Sequence, residues 1–334
     1  MTRPLVSILI PAYNAETTVA ETLKSAVAQT WPKKEIIVID DGSKDRTLVV
    51  ASRFESREVR VVTQLNQGAA AARNLACSLC QGDYIQWLDA DDLLAPDKIA
   101  QQINALGGVE SKRTLLSGAW GSFVGRPDRA KFRPSSLWAD ARPVDWLLRK
   151  LEEDLFMQTG TWLVSRELTE AAGPWDTRLL SDDDGEYFCR VLLASDRIQF
   201  VPEARAFYRT SGAAGLSYVG QSNKKIDALF LSIQLHIQYI RSLEESERVR
   251  AACLLFLQRW FICFYPERLD LVEQAEELAA QLGGHLESPR LSWKYAWIQK
   301  LFGWQSAKRT QLFYNECKSS IRSSWDAALL RLKI

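Results

Sequence analysis

Tyr84-Ile85-Gln86-Trp87-Leu88-Asp89-Ala90-Asp91-Asp92-Leu93-Leu94-Ala95-Pro96 decides how this chain is read, because an apolar run breaks off into three carboxylates within four residues. Residues 84–88 read as a strand buried in a sheet, and Leu93 to Pro96 as the entry to a helix. Three carboxylates at the carboxyl end of a buried strand repel one another unless a cation sits among them. Hard oxygen donors of this kind suit Mg²⁺ or Mn²⁺, and those ions suit a diphosphate. A helix N-terminus capped by aspartates is the alternative. It accounts for one or two of the acids, not for three.

Working outward, the first hundred residues alternate between two periods. Residues 5–10, 35–39 and 59–62 join 84–88 as apolar strand segments, while 17–29, a short stretch through Phe54, and the alanine-rich 68–80 carry helical spacing. Strands alternating with helical segments of this length predict βαβ units and a parallel sheet with right-handed crossovers. Such sheets bind ligands beyond the carboxyl ends of their strands. Tyr13-Asn14, Asp40-Asp41 and Asp89 to Asp92 all fall at such ends. Further along, residues 115–120 and 160–164 look like strands and 143–151 like a helix. The loop at Pro174-Trp175-Asp176 leads into Asp182-Asp183-Asp184 and a helix over 186–193. Past about residue 215 the pattern turns helical, over 227–243, 247–264 and 269–282.

Composition bounds the class without naming it. The 334 residues are 47% apolar and 25% charged, with a formal net charge of +1, which gives no indication of a nucleic-acid partner. Six cysteines in this length make no disulfide framework and favour a reducing compartment. Cys77 and Cys80 read as helix-core residues, since a zinc site needs four converging ligands. The opening residues read as a buried strand rather than a signal peptide. No run of about 18 apolar residues suggests a membrane span. The expectation is a cytoplasmic protein, placed at most at the cytoplasmic membrane face.

Five stretches carry a resemblance in their order along the chain. They are Val6-Ser7-Ile8-Leu9-Ile10-Pro11-Ala12-Tyr13-Asn14; Glu35 to Ser43 through Asp40-Asp41-Gly42; Asn66-Gln67-Gly68 leading to Ala72-Arg73-Asn74; Tyr84 to Asp92; and Trp175-Asp176 leading to Asp183-Asp184. Over roughly residues 4–210 the chain resembles the family 2 glycosyltransferases. The resemblance implies an α/β, Rossmann-like GT-A fold, a mostly parallel sheet flanked by helices with an α-helical C-terminal extension. It implies a nucleotide-sugar donor and an inverting transfer of one sugar. The expected division is a donor-binding half over 1–110, an acceptor-binding half over 111–215, and a helical region over 216–334.

The resemblance also assigns roles. Asp41 accepts a hydrogen bond from the nucleobase, with Pro11 and Tyr13 flanking the base and Asn14 beside them. Read alone, Asp40-Asp41-Gly42-Ser43 is equally a turn. Asp89 and Asp91 hold the ribose and diphosphate side, with Asp91 and Asp92 as metal candidates for Mg²⁺ or Mn²⁺, an ion that would stabilise charge on the departing nucleotide. Arg73 contacts the nucleotide or holds the metal-site loop, or else is a structural arginine paired with a neighbouring carboxylate. Counting back from Arg190 places Asp184 as the general base, its pKa lifted by Asp183 and Glu186; helix capping is the alternative, and Asp182 is expected to be solvated or capping. Trp162, Trp175 and Asp183 are candidates for the acceptor side, the two indoles for stacking on sugar rings. Ser211 follows Tyr208-Arg209 where many members carry a metal-ligating histidine.

Residues 288–334 carry nine Lys/Arg against two Asp/Glu, with Trp293, Tyr295, Trp297, Phe302, Trp304, Phe313, Tyr314 and Trp325 interleaved. The favoured expectation is a helical subdomain with its aromatics in a core. A peripheral contact with an anionic membrane, an acidic acceptor or a partner chain is the other reading. The expected partners are a UDP-sugar donor and a glycan or lipid-linked acceptor, with no nucleic acid. A binding or scaffold protein that keeps the fold but lacks turnover is the rival function.

Overall fold

Buried apolar strands and one-faced helices account for most of the architecture in the computed structural model, which describes residues 3–107, 112–210, 222–289, 291–295, 297–311, 313 and 314. The strands are β1 (Val6–Ala12), β2 (Lys34–Asp40), β3 (Val59–Thr63), β4 (Tyr84–Trp87), β5 (Leu93–Leu94), β6 (Thr114–Phe123), β7 (Lys131–Phe132), β8 (Val164–Ser165) and β9 (Arg197–Arg209). The helices are α1 (Val19–Val27), α2 (Thr47–Ser52), α3 (Ala69–Leu79), α4 (Lys98–Ala105), α5 (Pro143–Glu153), α6 (Arg166–Ala172), α7 (Asp183–Ala194), α8 (Asn223–Leu243), α9 (Glu247–Trp260) and α10 (Leu269–Gln281).

The first sheet has the order β3-β2-β1-β4-β8; its first four strands are parallel, and β8 runs antiparallel beside β4. Ile8, Ile10, Ile36 and Val38 are fully buried in it, each contributing on the order of 1.5–3 kcal/mol by leaving water. Helix α1 buries Val19, Thr22, Leu23 and Ala26, the i, i+3, i+4, i+7 stripe of a surface helix. Helix α3 buries Ala70, Ala72 and Ala76, small enough to let it lie close on β1 and β2, and it carries Arg73 inward with them.

The second sheet, β5-β9-β6-β7, and the β8 edge of the first correct two expectations. Leu93-Leu94 is not a helix entry but a strand, antiparallel to β9 at Phe207 and Ala206; the helix begins at Lys98. Residues 160–164 form no continuous strand. Thr159–Thr161 is a single 3-10 turn, Leu163 makes one isolated antiparallel bridge to Leu116 of β6, and Val164–Ser165 pairs with β4. The turn's carbonyls are taken by buried side chains instead, Gly160 O by Gln86 Nε2 and Thr161 O by Gln102 Nε2. Strand β9 itself, parallel to β6 over ten residue pairs, has no apolar alternation that marks it in sequence. Its register shifts at Gly118/Ala119, and glycine is required there, since a Cβ on Gly118 would lie 2.1 Å from Ala204 O.

Helices α8, α9 and α10 join the larger of two apolar clusters, so the C-terminal region shares a core with the sheet. No helix among the described residues is long and apolar enough to cross a membrane. Residues 297–311 are helical and dock through Trp304, whose ring meets Tyr265 edge-on at 5.1 Å, and through Lys308, which bonds Tyr265 O and Glu267. The aromatics expected in a core are mostly outside one. Trp293 is 81% exposed, and Trp297, Phe302, Phe313 and Tyr314 are all more than half exposed. Trp325 lies outside the described residues.

Candidate active site

At the carboxyl ends of β1 and β2 two loops are knitted together by their own polar groups. Asn14, held at φ 49°, takes the Lys44 N–H on its side-chain oxygen and gives its own N–H to Ser43 Oγ. Ala15 N–H reaches Thr47 Oγ1, and Glu16 N–H reaches Asp45. Pro11 is half-buried at the floor, and Tyr13 stands 46% exposed above it, an aromatic face free to stack. Asp41 is buried and saturated. One carboxylate oxygen accepts from Gln64 Nε2 at 2.7 Å and Gln67 N at 2.9 Å, the other from Asn66 Nδ2 at 3.2 Å and Gly68 N at 2.8 Å. A base N–H reaches Asp41 only if one of the two side-chain amides swings away. Asp40 beside it keeps one buried oxygen, Oδ1, with no donor.

The acidic loop after β4 separates its three carboxylates by partner. Asp89 accepts from Arg73 Nη2 at 2.8 Å. Asp92 is 1% exposed, with Oδ1 bonded to Arg209 N at 2.7 Å and Oδ2 to Gln158 Nε2 at 2.5 Å. Asp91 has its backbone carbonyl pinned by Arg209 Nε at 2.8 Å, but its carboxylate receives no side-chain hydrogen bond among the described residues. Burial, then the charge of Asp89, pushes Asp91 up to about 6. Asp92 moves well above the carboxylate range, from burial, then Asp91 and Asp89.

These bonds revise the metal candidates. Asp92 is held between β9 and the 158–161 turn through both its oxygens, which leaves Asp91, beside Asp89, as the acid of this loop whose carboxylate has no side-chain partner among the described residues. Among the described residues no three His, Cys, Asp or Glu side chains converge as a ready-made cation site. One or two hard carboxylates with raised affinity for protons fit an ion that takes the rest of its oxygen shell from a diphosphate and water. Ser211 lies outside the described residues.

The second cluster opens α7. Asp183 accepts from Arg73 Nη1 at 2.6 Å, so one guanidinium spans Asp89 and Asp183 and joins the two clusters. Burial works against its charge, but Asp89 and Asp183 more than offset that and hold its pKa above the ordinary arginine value. Asp184 is half-buried and pushed up to about 7, by burial first, then by Asp183 and Asp182. Glu186 is not the neighbour that lifts it: Glu186 is spent on Arg190 and on Tyr239 Oη. Among the described residues the only side-chain donor near Asp184 is Thr159 Oγ1, at 3.4 Å. Tyr208, pushed up to about 12 by burial and then by Asp92, Asp91, Asp89 and Asp184, marks where the clusters face a common space.

Trp162 and Trp175 do not offer a face to a sugar. Trp175 is 2% exposed, with Tyr187 stacked on one face at 4.0 Å and 7° and the Arg73 guanidinium 4.3 Å from its ring centroid. Trp162 is buried between Trp146 and Phe188. Trp175 instead holds Arg73, and its backbone exchanges two hydrogen bonds with the Asn74 side chain. Sequence reasoning missed Arg209, Gln158, Gln64 and Glu21. Arg209 bonds Asp92, Asp91 and, at 2.5 Å, Glu21. The pair Tyr208-Arg209 was legible as a landmark, but not its contact with residues more than a hundred positions earlier.

Residues 7–161 match the model of glycosyl transferase family 2. The UDP-Glc:α-D-GlcNAc-diphosphoundecaprenol β-1,3-glucosyltransferase WfaP of Escherichia coli is 42% identical over 114 residues, 34% of this chain and 44% of that protein. The chain spans less than half the length of the curated relatives it matches. Among solved structures, S. aureus TarS 1–349 in complex with UDP-GlcNAc superposes with a TM-score of 0.65 at 19% identity, over 83% of this chain and 80% of that one. The mannosyltransferase PcManGT of Pyrobaculum calidifontis, in complex with GDP-Man and Mn²⁺, superposes with a TM-score of 0.56 at 18% identity, over 98% and 88%. The fold is therefore the GT-A fold.

Proposed function

This chain carries a family 2 glycosyltransferase domain over residues 7–161, and we propose that it moves a single sugar from a UDP-sugar to a hydroxyl of a glycan or lipid-linked acceptor, with inversion. One observation carries the reading. Of six aspartates in two clusters, the protein takes four for itself: Asp89 and Asp183 through Arg73, Asp92 through Gln158 and Arg209, and Asp182 through Ser232. Among the described residues Asp91 and Asp184 are left without an ion pair or a close side-chain donor, one for the donor diphosphate and one for the acceptor.

Asp184 is the general base. A carboxylate that titrates near 7 takes a proton from a hydroxyl far better than an ordinary one. The oxygen so freed attacks the anomeric carbon opposite the departing diphosphate, and the configuration inverts. Tyr13 and Pro11 flank the base, Asn14 shapes the loop, Asp41 reads the base once Gln64 or Asn66 yields, and Asp89 lies on the ribose side. Mg²⁺ or Mn²⁺ held at Asp91 would supply positive charge to the leaving diphosphate. Residues 1–110 would serve as the donor half and 111–215 as the acceptor half, with the helices from Asn223 onward as an extension. A UDP donor is supported by the UDP-GlcNAc bound to TarS and the UDP-Glc for which WfaP is named, and a lipid-linked acceptor by the diphosphoundecaprenol in the name of WfaP.

A thermal-shift panel tests the donor site, with UDP, GDP, UDP-glucose and UDP-GlcNAc, each with and without Mn²⁺, on wild type and Asp91→Asn. A rise in Tm with UDP species that needs Mn²⁺ and disappears in Asp91→Asn is expected. A response to GDP species alone overturns the base assignment, and no response to any nucleotide leaves the non-catalytic scaffold as the better reading.

The tail supports a second partner, an anionic lipid surface at the cytoplasmic face. Trp293, Trp297, Leu301, Phe302, Phe313 and Tyr314 are exposed alongside Lys294, Lys300 and Arg309, and charge plus interfacial aromatics is what such surfaces hold. Vesicles of phosphatidylglycerol should sediment the protein and vesicles of phosphatidylcholine should not; Trp297→Ala with Phe302→Ala should abolish it. Equal binding to both lipids, or none to either, overturns the contact.

A further inference from the structure

Asp182 precedes the two acids at the start of α7, and its conformation is unusual for that place. An N-cap residue ordinarily has extended backbone angles and turns its side chain onto the helix's free N–H groups. Asp182 instead sits in the left-handed region, φ 56° and ψ 27°, and its side chain makes no capping bond. A non-glycine residue held there carries strain that the surroundings must offset. The carboxylate lies close over Gly185, where a Cβ would come 2.0 Å from Asp182 Oδ1. Its other oxygen, Oδ2, accepts the Ser232 hydroxyl of α8 at 2.6 Å.

Ser232 does not act alone. Its Oγ is also 3.2 Å from His236 Nδ1, and that ring nitrogen is 2.8 Å from Ser232 O and 3.8 Å from Asp182 Oδ2. The opposite ring nitrogen, Nε2, is 3.2 Å from Lys150 Nζ of α5. An ammonium beside Nε2 leaves the proton on Nδ1, which donates it to the Ser232 carbonyl. His236 is buried against Phe256 of α9, and burial first and Lys150 second keep its pKa below the ordinary value. The ring is thus a neutral wedge that fixes the turn of α8 from which Ser232 projects. Two turns later, Tyr239 Oη of the same helix bonds Glu186 of α7 at 2.9 Å.

We propose that α8 positions the general base: Ser232, braced by His236, pins Asp182 in its left-handed conformation and so fixes the first turn of α7, from which Asp183 and Asp184 project. Ser232 is a positioning residue about fifty positions beyond the acids it serves, in the helical region rather than in the matched family segment. This inference rests on the reading of Asp184 as base. It makes the C-terminal helices part of the catalytic machinery rather than an appendage.

The test compares Ser232→Ala, Asp182→Gly and Asp184→Asn in the full chain, by UDP release from UDP-glucose and UDP-GlcNAc in water across pH 5–9, with UDP binding measured alongside. Ser232→Ala should lower kcat about tenfold with donor KM and UDP affinity unchanged, and shift the acidic limb of the kcat profile to lower pH as Asp184 gains water. Asp182→Gly, which tolerates the left-handed angle but has no carboxylate for Ser232 to hold, should reproduce both effects. Amide exchange of the 182–187 segment should quicken in both variants. If Asp184→Asn retains turnover, the base assignment is wrong. If Asp184→Asn is dead while Ser232→Ala keeps wild-type kcat, pH profile and exchange, the base stands and the positioning proposal is overturned. A fall in kcat with no change in the limb or in exchange also overturns it.

Discussion

The loop Asp89–Asp92 and the helix start Asp182–Asp184 hold three aspartates each, yet the protein treats them differently. The first is a turn between strands, and β9 fixes it: Arg209 bonds Asp92 through its backbone N–H and the Asp91 carbonyl through its side chain. The second is the first turn of a helix, gripped from α8 by Ser232 and Tyr239. Only Arg73 touches both, through Asp89 and Asp183. In each cluster hydrogen-bonded acids fix the backbone and one acid keeps no close side-chain partner among the described residues, Asp91 raised to about 6 and Asp184 to about 7, although burial raises Asp92 and Asp183 as well. Acid count does not distinguish a ligand site from a base; the partners of the neighbouring acids do.

The comparison breaks most sharply at its two untethered members. Asp184→Asn should cut turnover by about 10²–10⁴-fold, the span of general-base contributions, while leaving the Mn²⁺-dependent thermal shift with UDP intact. Asp91→Asn should lose both. Steady-state rates and thermal shifts on the same preparations separate the roles, and identical behaviour of the two variants would merge them.

Removing the link between the clusters comes next. Arg73→Met leaves Asp89 and Asp183 without their shared cation, and breaking a buried pair costs about 3–5 kcal/mol. Arg73→Lys should recover less than half of that, because one ammonium has no fork to span both acids. Chemical denaturation of the three proteins checks this. Trp175→Ala belongs to the same experiment: it removes the ring under Arg73 and should cost about 3–5 kcal/mol of stability, where a sugar platform would have altered acceptor kinetics alone.

A pH titration sharpens the comparison further. The folded pKa of Asp184 lies above its ordinary 3.8, at about 7, so the folded state binds the extra proton between those values. Its contribution to stability is present in full below pH 3.8 and is lost as pH rises through about 7. The Tm of the metal-free wild type should therefore fall across that window relative to Asp184→Asn, while kcat rises across the upper part of it. Parallel Tm curves for the two proteins would place the raised carboxylate elsewhere. The smallest effect is expected at Tyr13, whose exposed ring stacks without burial. Tyr13→Ala should raise donor KM by about two- to tenfold, the worth of one aromatic stack of roughly 0.5–1.5 kcal/mol, with kcat unchanged.

Much of this was legible from residue order. The parallel part of the first sheet is written in buried runs such as Val6–Ala12 and Lys34–Asp40 and in the apolar stripe of α1. The polar clusters had to lie at strand ends, and the turns after β1, β2 and β4 put them there. Local pattern failed where long-range pairing decides the backbone. Leu93-Leu94 becomes a strand only because β9 lies beside it, and β9 is a strand because β6 is. Residues 160–164 give up their ladder to Gln86 and Gln102, side chains distant in sequence.

By itself the sequence determined the class of fold, a resemblance to one family over its first half and the positions at which acids gather, because these depend on apolar period and on short motifs that each act within a few residues. Only the tertiary structure decided which acids are spent and which are free. That choice is made by Arg73, Gln158, Arg209 and Ser232, none of which is within fifteen residues of the carboxylate it holds. It also turned two tryptophans from an acceptor platform into packing around Arg73 and Phe188. A hydrogen bond has a reach of about 3 Å, and only the folded chain brings such distant partners within it.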